Sequence, residues 1–482
     1  MRRPNVLVIM SDEQSANTLG CTGNPAARTP HLDALAERGR RFDRMYTPFP
    51  LCCPSRTSLI TGLMPRHHHV LGNWRGIRPD RAERGLGRWF ADAGYHTFYV
   101  GKWHVPGTTP SRMGFADQAA IPAVIDGKDR GRYIPDYRDY AAAQGYDLLP
   151  DHIENVTAAD LAALHDPKSP HRATAEIAAE HFLEPWQTRE FDRVLAETPE
   201  DQPWFGVCSY NAPHFPMLVP EPYDTIIDRS AITLPASWQD GFDELPQEVQ
   251  QSHFAQRFAD LDADGWREVI AHYYGLVSLV DDQVGRIVAR LAERGELEHT
   301  IIVFTSDHGD MMGAHRLMEK GHLLPYEEST RIPLIISHPD GAGGVDDQLH
   351  TMVDLTATLL DYAQLDVPDS IDGHSFARGG GREHVTSESI LWGRDSENAH
   401  GEHRDPAAFR LGPDTINLSI RDHEHRYIYR SDDVDELYDH RSDPDEMINI
   451  ASGQPAVVAD CRRLLAEEIG DVFPDVAAAM IS

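Results

Sequence analysis

The chain is poor in cysteine, in lysine and in long apolar runs. Its five cysteines include one adjacent pair, Cys52 and Cys53, while Cys21, Cys208 and Cys461 are scattered without metal-ligand spacing. So odd and dispersed a set excludes a disulfide framework and implies a reducing compartment. No apolar stretch approaches membrane-spanning length. The run that follows Met1-Arg-Arg-Pro is too short for a signal segment and ends in Ser11-Asp12-Glu13, so the expected location is the cytoplasm. Positive charge is scarce too, with 44 Lys and Arg against 77 Asp and Glu and a net charge of -33. No basic run interrupts that excess, which excludes nucleic acid and anionic membrane as partners. An anionic substrate would be repelled at long range, so its site must gather its own metal, arginine or lysine. The only lysines are Lys102, Lys128, Lys168 and Lys320. In a chain that otherwise uses arginine, a retained lysine marks a place where a compact ammonium is needed.

What remains is ordinary globular composition, 41% hydrophobic and 25% charged, with length for two or three domains of roughly 100 to 200 residues each. Val6 to Met10 reads as a strand buried on both faces, as in a parallel sheet, with Asp12 and Glu13 at its carboxyl end. Thr29 to Gly39 reads as a helix with a threonine cap, Pro30 at its first position and Gly39 at its exit. Further buried strands are expected at Thr97 to Val100, Trp204 to Ser209, Ile301 to Phe304 and Ile332 to Ile336. Helices are expected near Thr174 to Glu197, Tyr273 to Leu291, His350 to Leu365 and Pro455 to Ile469. Residues 106–203 and 217–263, with prolines, glycines and acids such as Asp126, Asp129, Asp136 and Asp139, read as insertions that shape a pocket. The run Gly379-Gly-Gly381 marks a boundary near 380, and shorter strands follow at Ser419 to Arg421 and Arg426 to Tyr429. The expected fold is α/β: a large, mainly parallel sheet sandwiched by helices over residues 1–380. A smaller α+β domain with a short antiparallel sheet follows over 381–482.

Four of the buried strands end in polar groups: Asp12 and Glu13, Lys102 and His104, His214, Asp307 and His308. Open parallel sheets bind ligands beyond the carboxyl ends of their strands, so these groups can converge on one site. Carboxylates at 12, 13 and 307 with the imidazole at 308 make a mainly oxygen shell for one divalent cation. Calcium is the first expectation, and manganese or another divalent ion the second, because His308 softens the shell. Gly101 permits the irregular backbone that lets Lys102 and His104 face one pocket. Leu51-Cys-Cys-Pro-Ser-Arg-Thr-Ser-Leu-Ile-Thr-Gly62 adds an anion site. Pro54 suits the first position of a helix and Gly62 its exit, so the two cysteines sit where free amides and the helix dipole favour an oxyanion, and Arg56 adds a fork of donors. Three consecutive histidines, His67, His68 and His69, cannot easily chelate one ion from a helix or strand. They read as an exposed or pocket-rim run lining the substrate entrance with Asn73, Trp74 and Arg75.

The spacing Cys52-x-Pro54-Ser55-Arg56-x-x-x-x-Thr61-Gly62 resembles the signature of the type I sulfatases, members of the alkaline phosphatase superfamily. Gly101-Lys102-Trp-His104 looks like the family's second signature, and Pro213-His214-Phe-Pro216 and Lys320-Gly321 look like its later substrate-contacting positions. Arg421 to Tyr429, Glu436-Leu-Tyr-Asp439 and Asp443-Pro444 are similar to its small C-terminal sheet domain. Glu13 stands where the family has Asp or Gln. The resemblance implies that Cys52 is oxidised to formylglycine by a formylglycine-generating enzyme or an equivalent maturase. It also implies that Asp12, Glu13, Asp307, His308 and residue 52 hold one divalent metal, and that a small anionic sulfate ester is hydrolysed through a formylglycine-sulfate intermediate. In that scheme Arg56 and the metal hold the nucleophile's charge, and Lys102 and Lys320 bind sulfate oxygens. His214 with Lys320 protonates the leaving alcohol, and His104 takes the proton that expels sulfate. A plain cysteine cannot complete the cycle, because a thiosulfate adduct has no second hydroxyl. Three alternatives stay open: a phosphonate monoester or phosphodiester hydrolase on the same formylglycine site, a catalytically silent metal-binding homologue, and a direct cysteine nucleophile. The motifs name neither the leaving alcohol nor an oligomeric state.

Overall fold

The strand β1 (Asn5–Ser11) lies at the centre of the molecule, wholly buried. Its alternate side chains feed two separate cores: Leu7 and Ile9 pack into one, and Val6, Val8 and Met10 into the other. A strand apolar on both faces needs helices on both, and that sandwich is what forms. The computed structural model describes residues 3–481 except 74–75, 123, 126–127, 130–133, 150–154, 167–170, 340, 342, 392–414 and 432. Trp74, Arg75, Asp126 and Lys168 lie outside the described residues, as do the side chains of Lys128 and Asp129.

In chain order the other strands are β2 (Arg40–Tyr46), β3 (His96–Gly101), β4 (Asp117–Ala119), β5 (Val124–Ile125), β6 (Lys128–Asp129), β7 (Arg172–Thr174), β8 (Trp204–Ser209) and β9 (Met217–Val219). They continue as β10 (Thr300–Ser306), β11 (Arg331–Ser337), β12 (Gly344–Asp346), β13 (His350–Thr351), β14 (His384–Leu391), β15 (Thr415–Asp422), β16 (His425–Arg430) and β17 (Glu436–Asp439). The main sheet runs β12-β2-β11-β10-β1-β8-β3-β4, with β13 also on β2. Its central pairs are parallel, whereas β11 is antiparallel to both of its neighbours. The register sets Ser11 opposite Ser306, Met10 opposite Ser209 and Gly101 opposite Ser209. Residues 12, 102, 210 and 307 therefore leave the sheet within one residue of the same level.

The helix Ala263–Glu293 covers one face of the sheet, and the helices Cys52–Thr61 and Met352–Tyr362 cover the other. The helix Pro30–Arg38 forms as expected and ends at Gly39, but its start differs from the expectation. Thr29 does not cap it; Asp281 of the long helix accepts the His31 and Leu32 amides at 3.2 and 2.7 Å instead. Gly39 is extended, and glycine is required there because a Cβ would lie 2.4 Å from the Ile336 carbonyl oxygen. The helix expected from Thr174 starts only at Leu183, because residues 172–174 pair with β9. Likewise His350 and Thr351 pair with β2 before the next helix begins at Met352.

The second sheet, β14-β15-β16-β17, is antiparallel throughout. One face, with Leu418, Ile420 and Tyr427, packs on the helix Pro455–Ile469. From the other face Ile428 joins Met311, Leu317, Leu324 and Tyr326 of the main body in a shared apolar cluster.

Candidate active site

The helix Cys52–Thr61 begins two residues before Pro54, so the proline occupies its third position and Cys52 its first. None of the first few amides of a helix has an intrahelical partner, so proline is tolerated throughout that turn. Gly62 ends the helix at φ 68, as a left-handed exit requires. The whole helix is buried, and it aims Cys52 at the strand ends. Cys52 Sγ lies 3.1 Å from His308 Nε2 and 3.7 Å from Asp12 Oδ1. Ligand atoms of Asp12, Cys52, Asp307 and His308, all four residues buried, lie within 4.8 Å of one another.

This donor set fits a divalent cation. His308 turns Nδ1 to the Gly309 carbonyl at 2.9 Å, which leaves Nε2 facing the cluster. Asp307 Oδ1 accepts the amides of Glu13 and His308 at 3.0 and 2.9 Å, which fixes the carboxylate in place. Two buried carboxylates and an imidazole are oxygen-rich, borderline-hard ligands of the kind calcium and manganese accept.

Arg56 braces the cluster from behind. Its Nε donates to Asp307 Oδ2 at 2.7 Å, and Nη1 donates to Ser209 Oγ at 2.7 Å and to the Lys102 carbonyl at 2.8 Å. Nη2 lies 3.7 Å from Asp12 Oδ1 and has no hydrogen-bond partner. Lys102, beyond Gly101 (φ 95), pairs with Asp12 Oδ2. Burial alone would raise the Asp12 carboxyl, but Lys102, His214, Arg56 and His308 hold it well below the usual range. Burial pushes the Cys52 thiol up to about 12, against the pull of Lys102. His104, at φ 50, is buried with no hydrogen bond at Nδ1. Burial, reinforced by the Lys102 and Arg56 charges, keeps its imidazole neutral.

Glu13 takes a different place from the one expected among the metal ligands. Its backbone turns left-handed at φ 67, and its Oε2 accepts from Lys320 Nζ at 2.5 Å and lies 3.2 Å from His214 Nδ1. It is not among the four converging groups. Lys320 Nζ and His214 Nε2 are 2.9 Å apart, so three residues far apart in sequence meet at one corner of the site. The histidine run also differs from expectation. His68 is wholly buried, bonded through Nε2 to Ser58 Oγ at 3.0 Å, and its Nδ1 accepts the Val70 amide at 3.0 Å. His67 instead bridges Asp372 and Asp471 at 2.7 and 2.9 Å. Asn73 reaches the start of the helix Cys52–Thr61, where its Oδ1 accepts the Cys53 amide at 3.0 Å.

The sulfatase family model matches residues 4–365, and the model for the C-terminal part of N-sulphoglucosamine sulphohydrolase matches 313–471. The chain belongs to the sulfatase family. As such it is an enzyme of the alkaline phosphatase superfamily. Among its relatives, the arylsulfatase of Clostridium perfringens (strain 13 / Type A) is 29% identical over 472 residues, covering 94% of this chain and 91% of that one. The multifunctional alkaline phosphatase superfamily protein PehA of Trinickia caryophylli is 26% identical over 499 residues, covering 95% and 93%. Among solved structures, the phosphonate monoester hydrolase of Silicibacter pomeroyi has a TM-score of 0.78 at 25% identity, covering 97% of this chain and 95% of that one. In this sulfatase the two stretches that resemble the family's signatures are the helix that carries Cys52 and the turn that carries Lys102 and His104. The residues that sequence reasoning missed lie behind them: Ser209 beneath Arg56, and Asp310, beside Glu13. Ser209 was visible as the last residue of a buried strand, but nothing local to it signals a guanidinium partner.

Proposed function

We propose that this sulfatase hydrolyses a small anionic sulfate ester at residue 52 after its conversion to formylglycine by a formylglycine-generating enzyme or an equivalent maturase. The observation that carries the reading is the meeting of Asp12, Cys52, Asp307 and His308 around one point. These four would hold a single divalent cation, calcium first and manganese second. When bound and formed, the cation and the oxidised side chain supply a charged nucleophile stabilised at neutral pH.

The other groups then have separable tasks. Arg56 fixes Asp307 and adds positive charge behind residue 52. Lys102 and Lys320 place two ammonium groups where sulfate oxygens gain charge in the transition state. His214, held against Lys320, delivers a proton to the departing alcohol oxygen, and neutral His104 accepts one at Nδ1. A direct cysteine nucleophile lacks support, since a thiosulfate adduct has no second hydroxyl through which sulfate can be expelled. Glu13 is better read as a partner of Lys320 than as a ligand. The division near residue 380 is supported by the second sheet, which begins at His384. A cytoplasmic location is supported by the odd number and scattered placing of the five cysteines; no described helix is long and apolar enough to cross a membrane.

The likeness to the Silicibacter pomeroyi enzyme favours a second reading, hydrolysis of phosphonate monoesters or phosphodiesters at the same site. Rates measured side by side on an aryl sulfate, an aryl phosphodiester and an aryl phosphonate monoester separate the two. Cys52→Ala is expected to abolish turnover of all three while leaving the fold intact, and near-normal turnover by that variant refutes both readings.

A further inference from the structure

The short segment that carries Lys320 is held by the second sheet. Three of its backbone carbonyls are taken by buried side chains from that sheet. Asn417 Nδ2 of β15 donates to His322 O at 3.0 Å, Arg430 Nη2 of β16 donates to Leu323 O at 3.1 Å, and Arg426 Nη1 of β16 donates to Pro325 O at 3.1 Å. Tyr326 closes the grip by donating its hydroxyl hydrogen to Glu436 Oε2 of β17 at 2.9 Å. Arg426, Ile428 and Arg430 alternate along β16, so they share the face turned to the main body. The two arginines and Asn417 are at most 2% exposed.

These donors are fixed in their turn. Arg430 Nε donates to Glu436 Oε1 at 2.6 Å and its Nη1 to Glu248 Oε1 at 3.1 Å; Arg426 is held by Glu446 and Glu327. On the near side the chain passes through Gly321 at φ 144, and Lys320 then reaches Glu13 and His214. Two peptide links separate the gripped His322 carbonyl from Lys320, so a displacement of that carbonyl is passed to the ammonium with little slack.

We propose that Asn417 and Arg430 are positioning residues for Lys320, so that the second sheet completes the leaving-group corner of the active site. This rests on the reading given above of Lys320 and His214 as the groups that meet the departing alcohol. Asn417 is the residue to test, because replacing Arg430 strands two carboxylates. Asn417 makes one bond to the segment, and its Oδ1 has no partner, so Asn417→Leu removes that single donor at similar volume. Asn417→Ala is the second variant should Leu not fold.

The readout is kcat/KM on 4-nitrophenyl sulfate, whose leaving group needs little protonation, against phenyl sulfate, whose leaving group needs more. For Asn417→Leu, phenyl sulfate hydrolysis is expected to fall about 10- to 100-fold and 4-nitrophenyl sulfate hydrolysis less than about threefold. In a Lys320→Ala background the same substitution is expected to add nothing, since both act through one ammonium. An equal fall on both substrates, no fall on either, or full additivity with Lys320→Ala overturns the proposal. If Lys320→Ala itself leaves the difference between the two substrates unchanged, the reading of Lys320 falls and the proposal with it. If Lys320→Ala widens that difference while Asn417→Leu does not, only the positioning role falls.

Discussion

Arg56→Lys keeps the charge behind residue 52 and removes the geometry. The wild-type guanidinium serves Asp307, Ser209 and the Lys102 carbonyl with three bonds of 2.7 to 2.8 Å, and it is 1% exposed. An ammonium on a shorter, unforked stem reaches one of these partners, so two charge-assisted bonds are lost with no water to replace them. At about 1.5–3 kcal/mol for each such bond, with partial recovery by relaxation, the cost is ~4 kcal/mol. Unfolding entropy of about 2.1 cal/mol/K per residue gives ~1 kcal/mol/K for the 482-residue chain, so Tm should fall by ~4 °C. Activity should suffer more, because the Asp307 carboxylate then loses the partner that orients it, and a loss of about 10²-fold or more in kcat/KM is expected. Differential scanning calorimetry and steady-state kinetics on the metal-loaded protein read both quantities. A variant within 1 °C of wild type that keeps more than half its kcat/KM would show that the guanidinium fork is not what holds the site.

Four further outcomes follow from the same geometry. Gly101→Ala places a Cβ 1.9 Å from the Ser209 carbonyl oxygen at φ 95; it should destabilise by about 3 kcal/mol or more and show as lost soluble yield and lowered Tm. Burial holds the Glu328 carboxyl at about 8, with Glu446 adding to the shift. The folded state therefore keeps a proton that the unfolded chain releases near 4.5, so this residue's contribution is full below pH 4.5 and is lost as pH rises toward 8. Glu328→Gln should leave Tm at pH 5 unchanged and raise it at pH 9 relative to wild type; an equal change at both pH values contradicts the assignment. Removing the cation with a chelator should abolish activity and lower Tm by ~3 °C if the site was loaded at about 100 times Kd, and calcium or manganese should restore both. His214→Ala should slow phenyl sulfate hydrolysis about 10²- to 10⁴-fold and affect 4-nitrophenyl sulfate far less.

The strands β1, β3, β8, β10 and β11 of the central sheet were readable because each is apolar on both faces, whereas β2, β4 and β12, with charged or exposed residues, were not; Val6 to Met10 and Ile301 to Phe304 needed no partner to be recognised. Strand direction was not readable in β11, since Ile332 to Ile336 has the same buried pattern whether it runs with its neighbours or against them. Proline misled at Pro54, which occupies the third position of its helix, where a missing amide costs as little as at the first. Glu13 was read as a ligand because it follows Asp12, but a left-handed φ at the strand end swings its carboxylate to Lys320. No local pattern encodes that turn. The grip of Asn417, Arg426 and Arg430 on residues 322–325 was hidden for another reason. It joins side chains to backbone carbonyls about a hundred residues away, and an acceptor carbonyl leaves no trace in residue identity.

The most direct test is the mass of the peptide carrying residue 52, taken from protein made in its native host and shown to be turning over an ester. An aldehyde is expected there, lighter than cysteine through exchange of sulfur for oxygen and loss of hydrogen, and trapped by a hydrazine. Active protein whose residue 52 is still entirely a thiol would contradict the assignment of this site.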